Sequence, residues 1–272
     1  MEDAAYVSFV EEDHSVNWSA ELEELHEESS REHFIDVWTR ASMLARLGHL
    51  PSNPVIVDLG CSTGYLLEDL AARYPDAHLT GVDLIAAGLR KAHRNVPRAH
   101  LIQADVCALP LEDESVDGAV SANLLEHVPD DELALRELRR VLRPGAVAVL
   151  VVPAGPNTYD YYDRFLGHER RYARGELASK SQRAGLEVVE DIHLGSVLYP
   201  AFWLVKQRNR RRFDDLRGET LESRVAADIA GTRDSRVGHL ACRLERALLG
   251  CGVRLPFGIR GLTVVRRGRE GR

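Results

Sequence analysis

Val55-Ile-Val-Asp58-Leu-Gly60-Cys61-Ser62-Thr-Gly64-Tyr-Leu-Leu-Glu-Asp-Leu70 joins an apolar run, a turn of small residues and an apolar-periodic segment, and it reads as strand, tight turn, helix. Val55 to Leu59 is β-branched and aliphatic, which suits a strand buried on both faces. Leu66, Leu67 and Leu70 fall on one helical stripe. The small residues between them allow a ligand to approach the backbone at a helix N-terminus, where N–H groups have no intrahelical partner.

The details of the turn decide which ligand. A dinucleotide fingerprint is G-x-G-x-x-G, with pyrophosphate on the helix N-terminus. Here Asp58 precedes Gly60 by two residues and is followed by Ser62 and Gly64. A carboxylate at that point repels a pyrophosphate but suits the cationic amino-acid end of a sulfonium cofactor. The stretch resembles motif I of the class I S-adenosylmethionine-dependent methyltransferases, D/E-x-G-x-G-x-G, with Ser62 in place of the middle glycine. If that position requires φ > 0, serine carries a strain that glycine would not.

Further segments follow in the order of the methyltransferase type 11/12 group. Leu79 to Leu84 reads as a second strand whose acid, Asp83, lies 19 residues beyond Gly64, near the distance at which such an acid meets ribose hydroxyls. Ala99 to Val106 reads as a third strand with Asp105 at its end, and Asp105-Val-Cys-Ala-Leu-Pro110 resembles the family's D-x-x-x-L-P. A fourth strand, Ser115 to Ser121, leads into Asn123-Leu124-Leu125-Glu126-His127-Val128, which resembles L-E-H-V. Val141-Leu-Arg143-Pro144-Gly145 then precedes a fifth strand, Val147 to Val152, as L-x-P-G does in that group. The resemblance implies that Asp58, Gly60, Cys61, Ser62, Gly64, Asp83, Leu84, Asp105, Val106, Asn123 and Leu124 bind S-adenosyl-L-methionine, with S-adenosyl-L-homocysteine as product. Alone, a glycine-rich turn marks many α/β proteins, and strand-end acids are common solvated turn residues. The order and spacing of the set carry the reading.

Strands alternating with helices (65–74, 85–94, 130–140) predict an α/β fold: a Rossmann-like, seven-stranded, mostly parallel sheet with helices on both faces. To this are added an N-terminal helical segment and a helical insertion before the last strand. The expected divisions are 1–50, an acidic leader and helical lid; 51–194, the cofactor-binding core; 195–256, the insertion; and 257–272, the final strand and a basic tail. Asp130, Asp131 and Glu132 open the 130–140 helix and Arg139 and Arg140 close it, complementing the macrodipole, with Pro144-Gly145 expected to stop it. His33, Phe34 and Trp38 are candidate lid residues, with ordinary helix packing as the alternative.

The loop from Pro153 to Tyr172 starts at the functional edge of the sheet and is dense in Tyr, Asp, His and Arg. It resembles the D-x-x-x-G-H-x-R-R-Y stretch of type 11/12 methyltransferases. His168 is the first candidate general base, Tyr162 and Asp163 stand behind it, and His127 is a weaker candidate; alternatively the stretch only positions the next helix. The sulfonium methyl is already activated, so the expected reaction is in-line transfer to oxygen or nitrogen of a small-molecule or specialised-metabolite acceptor, with no metal in the scheme. Lipid-linked acceptors and non-catalytic cofactor binding remain alternatives.

The net charge of −7 and the acids crowded into the first 36 residues disfavour nucleic acid as a partner. No apolar run of eighteen residues or secretory leader is present, which predicts a cytoplasmic protein. Cys61, Cys107, Cys242 and Cys251 lack zinc-ligand spacing and are expected reduced and mostly buried. In the insertion, the apolar and aromatic Val197 to Val205 precedes Lys206-Gln-Arg208-Asn-Arg210-Arg211-Arg212, so 197–212 reads as a lid, a homodimer helix or a peripheral membrane contact. Val237, Leu240, Ala241, Leu244 and Leu248 form a stripe expected to pack into the core.

Overall fold

The computed structural model describes residues 5–10, 31, 33–213, 225 and 235–269. The acidic run at 11–30 and the insertion segments 214–224 and 226–234 lie outside the described residues. The strands are β1 (Val7–Ser8), β2 (Val55–Leu59), β3 (His78–Asp83), β4 (His100–Gln103), β5 (Val116–Ala122), β6 (Leu142–Pro153), β7 (Leu186–Leu194) and β8 (Arg260–Arg267). The helices are α1 (Phe34–Leu47), α2 (Tyr65–Arg73), α3 (Ala86–Asn95), α4 (Asp131–Val141), α5 (Tyr161–Phe165), α6 (Glu176–Arg183), α7 (Tyr199–Arg212) and α8 (Arg236–Gly250).

One sheet of eight strands runs in the order β1-β4-β3-β2-β5-β6-β8-β7. It is parallel except for β8, which pairs antiparallel with both β6 and β7. The expected seven strands are all present; the eighth is the two-residue β1, whose Val7 and Ser8 pair with Ile102 and Gln103 at the sheet edge. From β2 the chain winds outward through β3 and β4, then returns to β5 on the other side of β2. The carboxyl ends of β2 and β5 therefore flank the crevice at which open α/β sheets bind ligands.

Alternation along the strands separates two cores. Ile56, Val149 and Val151 pack with Met43, Leu67 and Leu89 of α1, α2 and α3. Val57, Ala148, Leu150 and Val152 pack with Leu135, Leu138 and Leu177 of α4 and α6. The period of two along each strand places these groups on opposite faces, so both faces are covered by helices. Each fully buried leucine contributes about 1.5–3 kcal/mol.

α4 ends within one residue of the expected bound, and it is the start of the next strand that differs from expectation. The helix ends at Val141 and the chain passes directly into β6, so Pro144 lies within the strand. Val116 pairs with Leu142 and the ladder resumes at Gly118 opposite Val147, an irregularity that removes the need for an N–H at the proline. The helix start follows the sequence: Asp130 caps it through the Leu133 N–H at 2.9 Å.

Asp131, in the first turn of α4, is buried and accepts from Tyr172 Oη and Lys180 Nζ, each at 2.6 Å. Burial pushes its pKa up, but the hydrogen bonds from Lys180 and Tyr172 outweigh that and hold it below the ordinary carboxylate value. Depression of the folded-state value means that this stability is present above the unfolded pKa and is lost as pH falls through the folded one. Asp131→Asn should lower stability at neutral pH by about 1.5 kcal/mol, the lower end for hydrogen bonds to a charged group. Urea unfolding at neutral and acid pH should show the gap closing in acid; a gap that persists there would assign the loss to packing.

The exposed face of α8 corrects one reading, the core-packing stripe of Val237, Leu240, Ala241, Leu244 and Leu248. Val237, Leu240 and Leu244 of α8 point to solvent, while Gly238, Ala241, Cys242 and Glu245 are its buried face. Small residues are required there because Gly238 lies against the Phe34 ring, where a Cβ would come within 2.5 Å of it. Cys61 and Cys242 are buried, Cys107 is half-buried and Cys251 is exposed. Among the described residues, no helix is long and apolar enough to cross a membrane.

Candidate active site

A cavity of about 810 Å³ opens at the carboxyl ends of β2 to β6. Asp58, Gly60, Cys61, Ser62, Asp83, Leu84, Asp105, Val106, Asn123 and Leu124 line it. All but one of the residues assigned to the cofactor by resemblance thus share one wall.

Gly64 is the exception. It adopts φ 85° at the start of α2, and a Cβ there would meet Ala92 of α3 at 3.0 Å, so its role is close helix packing. Gly60, at φ 75°, turns the chain out of β2, and a Cβ would lie 2.9 Å from the Leu124 side chain. Gly60→Ala combines strain with overpacking and should destabilise by about 1–3 kcal/mol. Urea unfolding checks this, and an unshifted midpoint would show that Leu124 yields.

Ser62 sits at φ 46°, so the position that departs from the family pattern does require the left-handed region. Its N–H donates to Asp83 Oδ2 at 2.8 Å, while Asp83 Oδ1 accepts from Ile85 N at 2.9 Å. Asp83 thereby ties the two strand-end turns together. Asp105 accepts from Cys107 N at 2.8 Å, and this turn ends β4 earlier than the sequence suggested. Asn123, at φ 53°, turns the chain at the end of β5.

Asp58 is buried, and its Oδ2 has no hydrogen-bond partner among the described residues. Burial, reinforced by the charge of Asp83, pushes its pKa up to about 8. An orphaned carboxylate oxygen at this strand end fits the ammonium of S-adenosylmethionine, whose charge would favour ionised Asp58.

The opposite wall comes from the 3₁₀ turn Leu125–His127, α5, the loop 166–172 that follows it, and α7. His127, Tyr162 and His168 line the cavity; Asp163 does not, being fully buried behind His168. Asp160 caps α5 in a reciprocal arrangement in which its own N–H donates to Asp163 Oδ2 at 3.0 Å. Asp163 Oδ1 meets His168 Nδ1 at 2.9 Å and accepts from Arg171 Nε at 2.6 Å. Lys206 of α7 reaches Asp160 Oδ1 at 2.7 Å and lies 3.5 Å from Asp163 Oδ2. Burial alone would raise the Asp163 pKa; the His168 hydrogen bond and the charges of Arg171 and Lys206 depress it well below the usual carboxylate range. Desolvation lowers the Lys206 pKa.

Asp163 therefore orients His168 and leaves Nε2 directed toward the cavity, 4.0 Å from Glu126 Oε1. The His127 and His168 rings meet edge to face, with centroids 4.8 Å apart. Glu126 is completely buried, and neither carboxylate oxygen has a hydrogen-bond partner among the described residues. Its carbonyl accepts from Glu169 N at 2.8 Å, joining the two histidine-bearing segments.

Several site residues escaped sequence reasoning. Glu126 lies inside the quoted L-E-H-V segment, but its burial depends on the short 3₁₀ turn. Lys206 and Asn209 lie in the basic run that follows Val205 in the sequence, yet both are buried and bond Asp160. Of the expected lid residues, His33 and Phe34 line the cavity while Trp38 packs in the core. Arg260 also lines the cavity, paired with Asp36 of α1.

Comparison with known proteins gives the family. Residues 57–150 match the family described as "Methyltransferase domain". An uncharacterized methyltransferase of Mycobacteroides abscessus is 30% identical over 200 residues, covering 63% of this chain and 74% of that protein. A malonyl-[acyl-carrier protein] O-methyltransferase of Dechloromonas aromatica is 31% identical over 196 residues, covering 64% and 70% respectively. The chain spans less than half the length, 41–47%, of three other curated relatives that it matches. The structure of Haemonchus contortus phosphoethanolamine N-methyltransferase 2 in complex with S-adenosyl-L-methionine superposes with a TM-score of 0.62 at 15% identity, covering 92% of this chain and 57% of that one.

Proposed function

We propose, from the premise that this chain belongs to the class I S-adenosylmethionine-dependent methyltransferases, that it transfers the sulfonium methyl group to an oxygen or nitrogen of a small-molecule acceptor. The observation that carries the reading is one cavity shared by two walls. One wall holds Asp58, Asp83 and Asp105 at strand ends; the other presents Glu126, His127 and His168.

Asp58 would take the cofactor's ammonium, Asp83 its ribose hydroxyls and Asp105 its adenine end. The bound cofactor supplies an activated methyl group. The chain contributes orientation, which reaches roughly 7–11 kcal/mol in ideal cases, and exclusion of water by the apolar wall of Tyr161, Tyr162, Leu166 and Phe202. A hydroxyl or ammonium acceptor must also lose a proton. The buried carboxylate and two imidazoles converge on that task, with Asp163 as a positioning residue. The Dechloromonas relative's description as an O-methyltransferase supports oxygen as the accepting atom.

Transfer of label from methyl-labelled S-adenosylmethionine into fractionated small-molecule extracts tests this. Label should appear with the intact protein and fall sharply with Asp83→Ala. Cofactor binding without transfer in any fraction would leave the non-catalytic reading.

One observation favours a lipid-linked acceptor as a second reading. Leu204 and Val205 of α7 are 62% and 55% exposed beside Arg208, Arg210, Arg211 and Arg212, and Val205 also lines the cavity. On this reading the protein should sediment with anionic vesicles and remain soluble once Arg210, Arg211 and Arg212 are replaced by glutamine; equal sedimentation of both forms would discard it.

A further inference from the structure

We infer that Glu126, His127 and His168 form a divalent-cation site at the acceptor wall of the cavity. The inference rests on the methyl-transfer reading for its purpose, and on geometry for its existence. One donor atom from each of the three residues lies within 4.8 Å of the others, and all three residues line the cavity.

Three independent features set this cluster apart from a chance grouping. First, Glu126 is 0% exposed, and both of its oxygens are without hydrogen-bond partners among the described residues. A buried carboxylate in that condition is costly unless a cation compensates it. Second, His168 is held as histidine ligands are held: Nδ1 is engaged by a carboxylate at 2.9 Å, leaving Nε2 for the cavity. Its Asp163 partner is itself fixed by Arg171 at 2.6 Å. Third, the segments are joined by the backbone bond from Glu169 N to Glu126 O at 2.8 Å, which holds the donors together across the fold.

Metal–nitrogen and metal–oxygen bonds of about 2.0–2.2 Å require the outermost donors to draw inward by roughly half to one ångström. Side-chain rotation of Glu126 and His127 supplies a movement of that size. Two imidazoles and one carboxylate suit Zn²⁺, Mn²⁺, Fe²⁺ or Co²⁺ better than Mg²⁺ or Ca²⁺, which prefer all-oxygen shells. Three protein ligands leave coordination positions open for an oxygen of the acceptor.

A cation there lowers the pKa of a bound hydroxyl, as it does for bound water. The hydroxyl proton leaves to solvent, and the oxygen's electron pair forms the new bond to the methyl carbon. The carbon–sulfur bond breaks with its electrons going to sulfur, so the sulfonium becomes a neutral thioether. No oxidant or reductant is needed.

Full-length protein stripped with a chelator, free of cofactor and acceptor, should bind Co²⁺ saturably at one equivalent, followed by calorimetry and by the visible absorption of the ligated ion. E126Q should weaken this by at least about 10–100-fold, the loss that follows removal of even an outer-shell partner. H168Q should do likewise, so a variant that fails to fold does not end the test; the thermal midpoint of each is taken first. Absence of saturable Co²⁺ binding by the wild type, or equal binding by folded E126Q and H168Q, would overturn the site. Methyl transfer that persists undiminished in chelator would also overturn it while leaving the methyltransferase reading intact. Metal binding with no methyl transfer would sustain the site and count against that reading.

Discussion

Asp163→Ala is expected to lower the free energy of unfolding by about 3–5 kcal/mol, the range for removing one partner of a buried ion pair. The carboxylate is 0% exposed and is engaged by His168, Arg171, the Asp160 N–H and, more distantly, Lys206. Its removal strands the Arg171 guanidinium, itself only 8% exposed and otherwise bonded to Ala154 O and Thr158 Oγ1 at 3.3 Å. Asp163→Asn keeps the shape and one acceptor, and should lose less. Equilibrium urea unfolding of the three proteins measures the difference. Coincident midpoints for wild type and alanine variant would show that the cluster contributes specificity without stability. If Asp163→Asn folds, its methyl-transfer rate reports the second role of the residue, because the imidazole of His168 then loses its orienting charge.

The second large effect concerns cofactor affinity. Asp83→Ala should weaken S-adenosylmethionine binding by about 1.5–3 kcal/mol, the range for hydrogen bonds to a charged group. Two contributions are expected: loss of the acceptor for the ribose hydroxyls, and release of the Ser62 and Ile85 N–H groups that Asp83 now holds at 2.8 and 2.9 Å. Calorimetric titration distinguishes them when Asp83→Asn is included. The amide retains one acceptor oxygen toward the turns but lacks the charge, so its affinity should fall between the other two. Unchanged affinity in the alanine variant would remove Asp83 from the binding wall.

Much of this molecule was legible in local sequence because its decisive features are local. The run Val55 to Leu59 became β2 with those bounds, and Leu66, Leu67 and Leu70 form the buried stripe of α2. Strand-end acids could be placed on one edge of the sheet because a parallel α/β alternation aligns the carboxyl ends of the strands. His168 could be singled out because the loop bearing it begins at that same edge. The extension of β6 back through Pro144 is not legible locally because the break in its pairing with β5, which accommodates a proline, is a property of two strands together.

Residues whose meaning depends on partners distant in sequence could not be read this way. Periodicity in α8 suggested a buried stripe of Val237, Leu240, Ala241, Leu244 and Leu248; Ala241 is buried, but the Phe34 ring of α1 turns the Gly238 side inward and leaves Val237, Leu240 and Leu244 exposed. Lys206 heads a basic run in the sequence, and only its pairing with Asp160, 46 residues earlier in the chain, buries it. Sequence by itself determined the strand-turn-helix that receives the cofactor and the acidic edge around it, since short-range sterics and hydrophobic periodicity specify both. Only the tertiary structure decided that Glu126 is buried with neither carboxylate oxygen hydrogen-bonded among the described residues and lies beside His168, because residues 42 apart in sequence are brought together there, with Glu169 N bonded to Glu126 O.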